Sequence, residues 1–409
     1  MKLALIRRQF SATGGAELYL QRLLRSFVAQ GHDPHLFAES WDEALNGVTF
    51  HQVPAGGSRA TRPVRFAETV REEIKKETFD CVFSLERTLQ QDVYRAGDGV
   101  HRVWLRRRRE FAPAWKRPFV GLGAFHRHML QLEAGTFDPL NTRHVIVNSE
   151  MVRREIREHF AFPDERIHLV RNGVDVARFQ RVARDEARMR FGVKENDYLL
   201  LFVGSGWERK GLRYLFDALR SINRQTLALG LAEGMLQFVA LGRDVSATLR
   251  ATLTGVSSDR PAQPPPSPPA VPGTLKLLVV GKGRTPANTP PNVIFAGSMA
   301  DTELAYAAAD LFVFLPIYEP AANVVVEALA AGLPVITSAQ NGAGEMIEEN
   351  ENGNVVDDPS DTRSVVEAIA YWWSRRFYAP PVHAADLSLD RNVSETLAIL
   401  EMAAKEKKR

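Results

Sequence analysis

The sequence predicts an α/β protein with two successive domains. Strand-like apolar runs alternate with helical patterns along the whole chain, and this alternation builds parallel sheets that helices cover on both faces. At 409 residues the chain is long enough for two hydrophobic cores. We therefore expect an N-terminal domain over residues 1–175 and a C-terminal domain over residues 176–376. A helical tail over residues 377–409 should fray into solvent or cross back to the N-terminal domain.

The composition excludes several classes of protein. An apolar content of 45% and a charged content of 25% are typical of a globular protein, and no apolar run approaches the length of a membrane-spanning helix. The opening MKLALIRRQF is too short in its apolar part for a signal peptide and predicts a first strand. Cys81 is the only cysteine, so the sequence excludes disulfides and cysteine metal sites, and a cytoplasmic location is the default expectation.

The predicted elements follow from apolar periodicity. In the N-terminal half we predict strands at LALIR, HLFAE, VTFHQV, CVFSL, HVIVNS and IHLV, with helices over residues 16–30, 65–76 and 151–159. In the C-terminal half we predict strands at YLLLFVG, LQFVAL, LKLLVV, VIFAG, LFVFLP and PVITS and over residues 354–356, with helices over residues 212–221, 301–308, 321–331 and 360–373. A Pro-rich insertion over residues 255–273 predicts a surface loop.

The stretch PIYEPAANVVVEALAAG, residues 316–332, combines a strand end, a turn at Glu319 and a small-residue helix from about Ala321. The start of a helix offers unpaired N–H groups to an anion, and small side chains let a ligand approach them. Glu327 lies in the apolar run VVVEALA, where a charge is costly unless a partner pairs with it. On the residues alone, Glu327 could equally lie on a solvated helix face and Glu319 could be an ordinary turn residue.

Other glycine-containing turns also follow predicted strands. In GSGWERKG, residues 204–211, glycines beside Arg209 and Lys210 predict an anion cradle. In TGGAE, residues 13–17, paired glycines permit close approach of a ligand, although Glu17 could simply be a first-turn residue favoured by the helix dipole. GKG at residues 281–283 is a weaker example of this pattern. No metal-binding constellation stands out among the ten histidines.

Together these motifs resemble those of the retaining family 4 glycosyltransferases. The spacing E-x7-E at a strand-to-helix junction, followed by AGLPVI, is similar to the signature of that family. In the family the first Glu meets the donor sugar, the second takes the ribose hydroxyls of the nucleotide, and an Arg-Lys pair neutralises the diphosphate. The resemblance implies a GT-B architecture, in which two doubly wound Rossmann-like domains face each other across a cleft. It also implies a UDP-sugar co-substrate and no metal ion or other cofactor.

The resemblance assigns roles residue by residue. The implied catalytic residues are Asp98, Arg209, Lys210 and Glu319, and no covalent nucleophile is implied. The implied donor-binding residues are Gly15, Gly204, Arg209, Lys210, Gly281, Glu319, Ala321, Ala322, Asn323 and Glu327. The implied acceptor-binding residues are Gly14, Gly15, Glu17 and Asp98. Residues 148–149 and 172–175 resemble the inter-domain hinge segments of the family.

Asp98, in DVYRAGD, departs from many members of the family, which carry a His near this position. It is closer to the lipopolysaccharide core glucosyltransferase I subgroup, which glucosylates the heptose of the inner core. An Asp between two glycines is suited to hold an acceptor hydroxyl at an exposed loop, although the same residues could form an ordinary Asp-Gly turn.

Residues 101–128 carry eight Lys or Arg and one acid, a local charge of +7 in a chain whose net charge is only +3. Cationic charge beside Trp and Phe predicts a surface that lies on anionic lipid. A solvated loop whose aromatic residues fold onto the core, or an RNA-binding surface, would have the same composition. The predicted membrane-facing residues are Trp104, Arg106, Arg107, Arg108, Arg109, Trp115, Lys116 and Arg117.

The sequence therefore predicts a retaining, metal-independent glycosyltransferase that moves a sugar, in our interpretation glucose, from a UDP-sugar to a lipopolysaccharide core or related glycolipid. We expect it to be peripheral on the inner face of the inner membrane. Its expected partners are the nucleotide-sugar donor, the glycolipid acceptor and the anionic membrane surface, and no nucleic acid. The alternatives are a nucleotide-sugar epimerase of the same fold and a non-catalytic lipid- or RNA-binding protein that uses the basic segment.

Overall fold

The structure is a computed structural model that describes residues 1–9, 15–41, 45–228 and 273–408. The chain forms two compact units. The first contains Met1–Gly173, Glu319–Asn323 and Ser388–Arg409, and the second contains Val174–Tyr318 and Val324–Leu387. Each unit contains one parallel sheet with helices packed against it, which confirms the predicted α/β fold class.

The first unit is built on a seven-stranded parallel sheet. Its strands are β1 (Lys2–Ile6), β2 (Asp33–Ala38), β3 (Thr49–Gln52), β4 (Cys81–Ser84), β5 (Gln91–Arg95), β6 (Thr142–Val147) and β7 (Ile167–Leu169). Its helices before residue 173 are α1 (Gly15–Ala29), α2 (Arg62–Ile74), α3 (His101–Glu110), α4 (Ala124–Thr136) and α5 (Glu150–His159), with 3-10 turns at Ala114–Phe119 and Asp164–Arg166. The strand order β3-β2-β1-β4-β5-β6-β7 reverses between β1 and β4. Open α/β sheets bind ligands outside the carboxyl ends of the strands at such a switch point.

The second unit contains a parallel sheet of six described strands. They are β8 (Tyr198–Val203), β9 (Leu275–Val280), β10 (Val293–Gly297), β11 (Leu311–Phe314), β12 (Val335–Ser338) and β13 (Gly353–Val356). The helices that follow are α6 (Val176–Gln180), α7 (Arg184–Arg190), α8 (Trp207–Lys210), α9 (Leu212–Ala228), α10 (Thr302–Ala308), α11 (Asn323–Ala330) and α12 (Thr362–Ser374), with a 3-10 turn at Gly342–Met346. The order β10-β9-β8-β11-β12-β13 places the switch point between β8 and β11.

The alternation of side chains along β1 explains why both faces of the first sheet are covered. Leu3 and Leu5 belong to one buried cluster, which includes the apolar face of α1. Ala4 and Ile6 belong to another cluster, which includes Phe66 of α2. Successive residues of a strand point to opposite faces, so each face of β1 buries its own helix.

The last helix, α13 (Leu389–Lys407), packs on the first sheet in the same cluster as α1. Leu400 and Ala403 are fully buried there. At the end of the helix, the ammonium of Lys407 lies 2.9 Å from a carboxylate oxygen of Asp92. The expectation that the tail frays into solvent is therefore wrong, because apolar burial and this ion pair hold the helix along its length.

Several predicted boundaries differ from the structure. The helix expected from Ala321 begins at Asn323, and the helix expected over residues 212–221 extends to Ala228. The strand β5 and the helices α3 and α4 were not predicted as elements. The predicted strand LQFVAL and, apart from Gly273, the Pro-rich insertion lie outside the described residues. Within the described ranges, no helix combines the length and the apolarity needed to cross a bilayer.

Candidate active site

Two loops flank the switch point of the second sheet. Residues 204–211 follow β8, and residues 315–318 follow β11. Because β8 and β11 are parallel neighbours, both loops lie at the carboxyl edge of the sheet. The backbone N–H of Ile317 donates to the carbonyl oxygen of Arg209 at 3.0 Å, and this hydrogen bond joins the two loops.

The loop after β8 is held against β11 by a close approach of backbone to backbone. Gly206 and Gly211, with φ of +75° and +77°, bound the one-turn helix α8. A Cβ atom on Gly211 would lie 1.7 Å from the carbonyl oxygen of Leu315, directly after β11. Only glycine permits this contact, and the contact positions Arg209 and Lys210, the two residues that precede Gly211.

Of the predicted donor residues, Lys210 and Gly281 both contact Gly204 at this edge. A Cβ on Gly204 would lie 2.6 Å from Cδ of Lys210, so the lysine stem lies directly over this glycine. The ammonium of Lys210 is 5.5 Å from the centre of the Phe314 ring. A Cβ on Gly281, after β9, would lie 2.2 Å from the carbonyl oxygen of Gly204. The ends of β8, β9 and β11 thus form one packed rim with a cationic side chain on it.

Glu327 lies in α11 and is half-buried, with Tyr306 of α10 as a hydrogen-bond donor. The hydroxyl of Tyr306 donates to Oε2 of Glu327 at 2.7 Å. Burial raises the pKa of Glu327, while the hydrogen bond from Tyr306 and the positive charges of Arg178 and Lys210 oppose the rise. Glu327 is therefore not on a solvated helix face, and the positive charges of Arg178 and Lys210 both favour its carboxylate form.

Glu319 directly follows Tyr318 and opens the segment Glu319–Asn323, which groups with the first unit. Glu319 is half-buried, and Pro320 beside it is buried. Within the first unit, the hydroxyl of Ser149 donates to the carbonyl oxygen of Pro320 at 2.7 Å. Ser149 belongs to one of the two predicted hinge segments, so that segment fixes the backbone next to Glu319.

The second predicted hinge segment also holds this turn. The side-chain amide of Asn172 donates to the carbonyl oxygen of Ala321 at 3.0 Å and to Oδ1 of Asn323 at 2.7 Å. These bonds hold the backbone of Ala321 directly before α11, whose first residue is Asn323. Ala322 is buried, and Ala321 and Asn323 are half-buried.

The switch point of the first sheet carries charged residues after β1 and β4. A guanidinium nitrogen of Arg7 lies 3.3 Å from Oε1 of Glu86, and the backbone N–H of Arg8 donates to the same oxygen at 3.3 Å. Asp98 is exposed in the loop after β5. Burial raises the pKa of Glu86, the charge of Arg7 opposes the rise, and the negative charge of Asp98 adds to it. Asp98 therefore shares this edge with a second carboxyl group and a guanidinium.

The remaining predicted acceptor residues follow β1. Gly14 lies outside the described residues, and Gly15 and Glu17 lie in the first turn of α1. Arg95, the last residue of β5, is buried, and its guanidinium lies 4.3 Å from the ring centre of Tyr19 in the second turn of α1. The start of α1 is thus held at the carboxyl edge of the first sheet, where β5 ends and the Asp98 loop begins.

The basic segment forms α3, a 3-10 turn and the start of α4. Arg102, Arg106 and Arg109 of α3 line a cavity of about 630 Å³ together with Arg117 of the 3-10 turn. Among the described residues that line this cavity, Glu110 is the one acid. The cavity is therefore strongly cationic.

The aromatic residues of the basic segment divide into two groups. Trp115 and Phe119 are 70% and 68% exposed, and Leu122 beside them is 67% exposed. Trp104, by contrast, is half-buried and Leu105 is buried. Of the predicted membrane-facing set, the exposed residues are Arg106, Arg109, Trp115, Lys116 and Arg117, and the half-buried residues are Trp104, Arg107 and Arg108.

Two glycosyltransferase families together match most of the length of this chain. "Glycosyltransferase Family 4" matches residues 13–178, and "Glycosyl transferases group 1" matches residues 269–375. The chain belongs to the family 4 glycosyltransferases. The matched residues include α1 and the loop after β5 in the first unit, and the loops after β9 and β11 in the second.

Individual relatives of this glycosyltransferase match different shares of the chain. Lipopolysaccharide glucosyltransferase WaaG of Escherichia coli strain K12 is 24% identical over 363 residues, which are 87% of this chain and 85% of WaaG. A D-inositol 3-phosphate glycosyltransferase of Geodermatophilus obscurus is 26% identical over 264 residues, 64% of this chain and 53% of that protein.

Solved structures confirm the GT-B fold. The crystal structure of WaaG covers 99% of this chain and 98% of its own, with a TM-score of 0.68 and 22% identity. HepE of Anabaena, in complex with UDP and glucose, covers 98% of this chain and 100% of its own, with a TM-score of 0.60 and 15% identity.

Sequence reasoning missed three side chains of this glycosyltransferase. Tyr306 precedes its partner Glu327 by 21 residues in a different helix, and no spacing rule indicates that contact. Arg7 and Glu86 follow β1 and β4, the strands that flank the switch point of the first sheet. A search for charged residues directly after adjacent parallel strands would have found them, once the strand order was known.

Proposed function

We propose that this glycosyltransferase transfers a sugar, which we take to be glucose, from a UDP-sugar to a lipopolysaccharide core or related glycolipid. In this proposal the transfer retains the anomeric configuration and requires no metal ion. The observation that carries the proposal is the rim of the second sheet, where Lys210 lies on Gly204 and acts on the charge of Glu327. The names of two similar proteins support the donor class: WaaG is a lipopolysaccharide glucosyltransferase, and HepE was solved with UDP and glucose.

In this proposal Arg209 and Lys210 stabilise the negative charge that develops on the departing diphosphate. Such stabilisation lowers the barrier because it is stronger in the transition state than in the ground state. It also requires cations that are fixed before the reaction begins. The glycine contact between Gly211 and Leu315 supplies that rigidity, since it holds the backbone after Lys210 against β11.

Glu327 accepts hydrogen bonds from the ribose hydroxyls in this proposal, and Glu319 meets the hydroxyls of the donor sugar. A carboxylate has about four lone-pair sites. The bond from Tyr306 occupies one of them, so Glu327 retains the capacity for two vicinal hydroxyls. We assign no covalent nucleophile: the acceptor hydroxyl, held by Asp98, attacks the face from which the phosphate departs, and the leaving phosphate helps to deprotonate it.

The basic segment supports a membrane-bound acceptor and a position on the inner face of the inner membrane. Four arginines line one cavity, and Trp115 and Phe119 are exposed beside it. Arginine binds phosphate through two donors, and exposed aromatic residues insert at the level of lipid headgroups. Both features suit a surface that holds a phosphorylated glycolipid within an anionic leaflet.

The test is a donor panel. The purified chain is incubated with UDP-, GDP- and ADP-sugars and truncated core lipopolysaccharide, with and without a chelator, and the anomeric configuration of the product is read by NMR. We expect transfer from a UDP-sugar, retention, and no effect of the chelator. Absence of transfer from every donor would overturn the proposal, and isomerised donor in the absence of acceptor would indicate an epimerase instead.

A further inference from the structure

A second cluster of chemistry-bearing side chains lies in the first unit. His35 of β2, His51 of β3 and Glu77 after α2 offer ligand atoms that all lie within 4.8 Å of one another. Nδ1 of His35 is 2.8 Å from Nε2 of His51. Glu77 also pairs with Lys2, the first residue of β1, so the cluster lies toward the amino ends of the strands. Asp98 and the switch-point loops follow the carboxyl ends, so this cluster is separate from the transfer site.

A carboxylate fixes the tautomer of His35. Oδ2 of Asp33 lies 3.3 Å from Nε2 of His35, so Nε2 carries the proton and donates it to Asp33. With its proton on Nε2, His35 accepts at Nδ1 the 2.8 Å hydrogen bond from Nε2–H of His51, so a cation would bind between the two rings in place of that proton, with His51 in its Nδ1–H tautomer. Metal-ligating histidines usually donate their other ring N–H to a carboxylate in this way.

We propose that His35, His51 and Glu77 bind a divalent transition-metal cation of the Zn²⁺ class. Two imidazole nitrogens on a tetrahedral Zn²⁺ lie about 3.3 Å apart, given bonds of about 2.0–2.1 Å. The histidine pair must therefore open by about 0.5 Å from its 2.8 Å contact. His35 is buried, His51 is half-buried and Glu77 is exposed, so the ligands that must adjust are on the solvent side. Imidazole and carboxylate together suit Zn²⁺.

The position of Lys2 predicts the direction in which metal affinity should change when this residue is substituted. Its ammonium lies 2.7 Å from Oε2 of Glu77 and 5.1 Å from the ring centre of Phe79. It supplies positive charge to the carboxylate that the metal would use, so it competes with the metal. Removal of this ammonium should therefore strengthen metal binding, whereas a network that serves only packing would bind no metal with or without it.

The same unit contains a matched control cluster. His144 and His168 also contact through Nδ1 and Nε2, at 3.1 Å, and Glu406 lies 2.8 Å from His144. In that cluster the glutamate contacts Nε2 of His144, the nitrogen that faces away from His168. The ligand atoms therefore do not converge on one point, although the residue types are the same.

The full-length protein, prepared without a polyhistidine tag, is titrated with ZnCl₂ at neutral pH by calorimetry and with CoCl₂ by visible absorbance. We expect one Zn²⁺ per chain and a tetrahedral Co²⁺ spectrum. We expect affinity to fall more than about 10-fold in His51→Ala and Glu77→Gln and about 10-fold in Asp33→Asn. It should rise in Lys2→Met and stay unchanged in His168→Ala.

Circular dichroism checks that each variant is folded, which we expect because the side chains of His51 and Glu77 are not fully buried. The proposal is overturned if the wild-type protein binds no Zn²⁺ stoichiometrically. It is also overturned if folded His51→Ala and Glu77→Gln variants bind as the wild type does, or if His168→Ala abolishes binding. None of these readouts depends on sugar transfer.

Discussion

Substitution of Gly211 by alanine should slow sugar transfer by about 100-fold, because it forces apart the two loops at the switch point of the second sheet. The new Cβ would lie 1.7 Å from the carbonyl oxygen of Leu315, whereas real Cβ atoms essentially never approach closer than 3.0 Å. The loop that carries Arg209 and Lys210 must therefore move by about 1.3 Å relative to the end of β11. A displacement of about 1 Å can cost about 100-fold in rate, since the charge stabilisers no longer lie where charge develops.

Gly206 provides the control for backbone strain. Its φ of +75° matches the +77° of Gly211, but a Cβ there would meet nothing within 4 Å. Both alanine variants incur the cost of a left-handed residue, about 1–2 kcal/mol. Only Gly211→Ala adds the collision with Leu315. The free energy of unfolding, from urea denaturation, should therefore fall by about 1–2 kcal/mol in Gly206→Ala and by more in Gly211→Ala.

The assay is the initial rate of UDP-sugar-dependent transfer, with each variant kept at a temperature where it is folded. We expect Gly206→Ala to retain most of the wild-type kcat and Gly211→Ala to lose it. If a folded Gly211→Ala variant transfers sugar as fast as Gly206→Ala, the close approach to Leu315 does not position the cationic pair, and the reasoning is refuted.

Four further predictions follow from the same geometry. Lys210→Met keeps the aliphatic stem over Gly204 but removes the positive charge, so kcat should fall about 100- to 1,000-fold. The control is Lys194→Met, which replaces an exposed lysine of the same unit and should leave initial rates unchanged. Burial raises the pKa of Glu327, and only its carboxylate form accepts hydrogen bonds from two hydroxyls. The affinity for the donor, measured by calorimetry, should therefore fall as the pH decreases through that raised pKa. Glu327→Gln should remove this pH dependence. Glu86→Gln should raise KM for the acceptor and leave KM for the donor unchanged in steady-state kinetics. Trp115→Ser should weaken flotation with anionic vesicles, and added salt should weaken it further.

Each of these predictions has a contrary outcome. Unchanged turnover in Lys210→Met would remove that residue from the site. A donor affinity that is flat from neutral to acid pH would show that Glu327 does not receive the ribose. A donor KM that rises in Glu86→Gln as much as the acceptor KM would place Glu86 outside the acceptor subsite. Vesicle binding that is insensitive to Trp115→Ser and to salt would leave the basic segment without a membrane role.

The apolar strands could be predicted from the sequence because they bury both faces. YLLLFV in β8 and LFVF in β11 are continuous apolar runs, and every residue in both strands is buried. Turn residues bound both strands, with Gly204 after one and Pro316 after the other. The loop that carries Arg209 and Lys210 was therefore recognisable as a turn at a strand end, and the cationic pair was proposed from the composition of this turn together with the resemblance to the family.

The strand β5 could not be predicted, because its buried side chains include charged residues. QDVYR is buried at every position, yet it contains Asp92 and Arg95. Asp92 pairs with Lys407, 315 residues later, and Arg95 donates to Asn172, 77 residues later. Polar residues stay buried only when partners satisfy them, and these partners are supplied by the tertiary fold. Local periodicity carries no trace of either contact.

Two other contacts could not be predicted for the same reason. They are the contact between His35 and His51 in the proposed metal site, and the contact of Tyr306 with Glu327, the proposed ribose-binding residue. His35 and His51 are 16 residues apart on paired strands, far from the short spacings by which metal sites are recognised in sequences. Tyr306 and Glu327 lie in different helices, α10 and α11, and α10 packs on β8 and β9 of the second sheet. In both cases the strand order, which the sequence did not show, creates the juxtaposition.

The two switch points carry different charged groups, and in our proposal this difference separates the donor site from the acceptor site. In the second unit the loops beside β8 and β11 present Arg209 and Lys210, and cations are what a diphosphate requires. In the first unit the loops after β4 and β5 present the carboxyl groups of Glu86 and Asp98, with the pKa of Glu86 raised by burial. Carboxylates repel phosphate but accept hydrogen bonds from sugar hydroxyls. In our proposal the cationic pair of the second unit therefore binds the nucleotide diphosphate, and the carboxyl groups of the first unit accept hydrogen bonds from the hydroxyls of the acceptor.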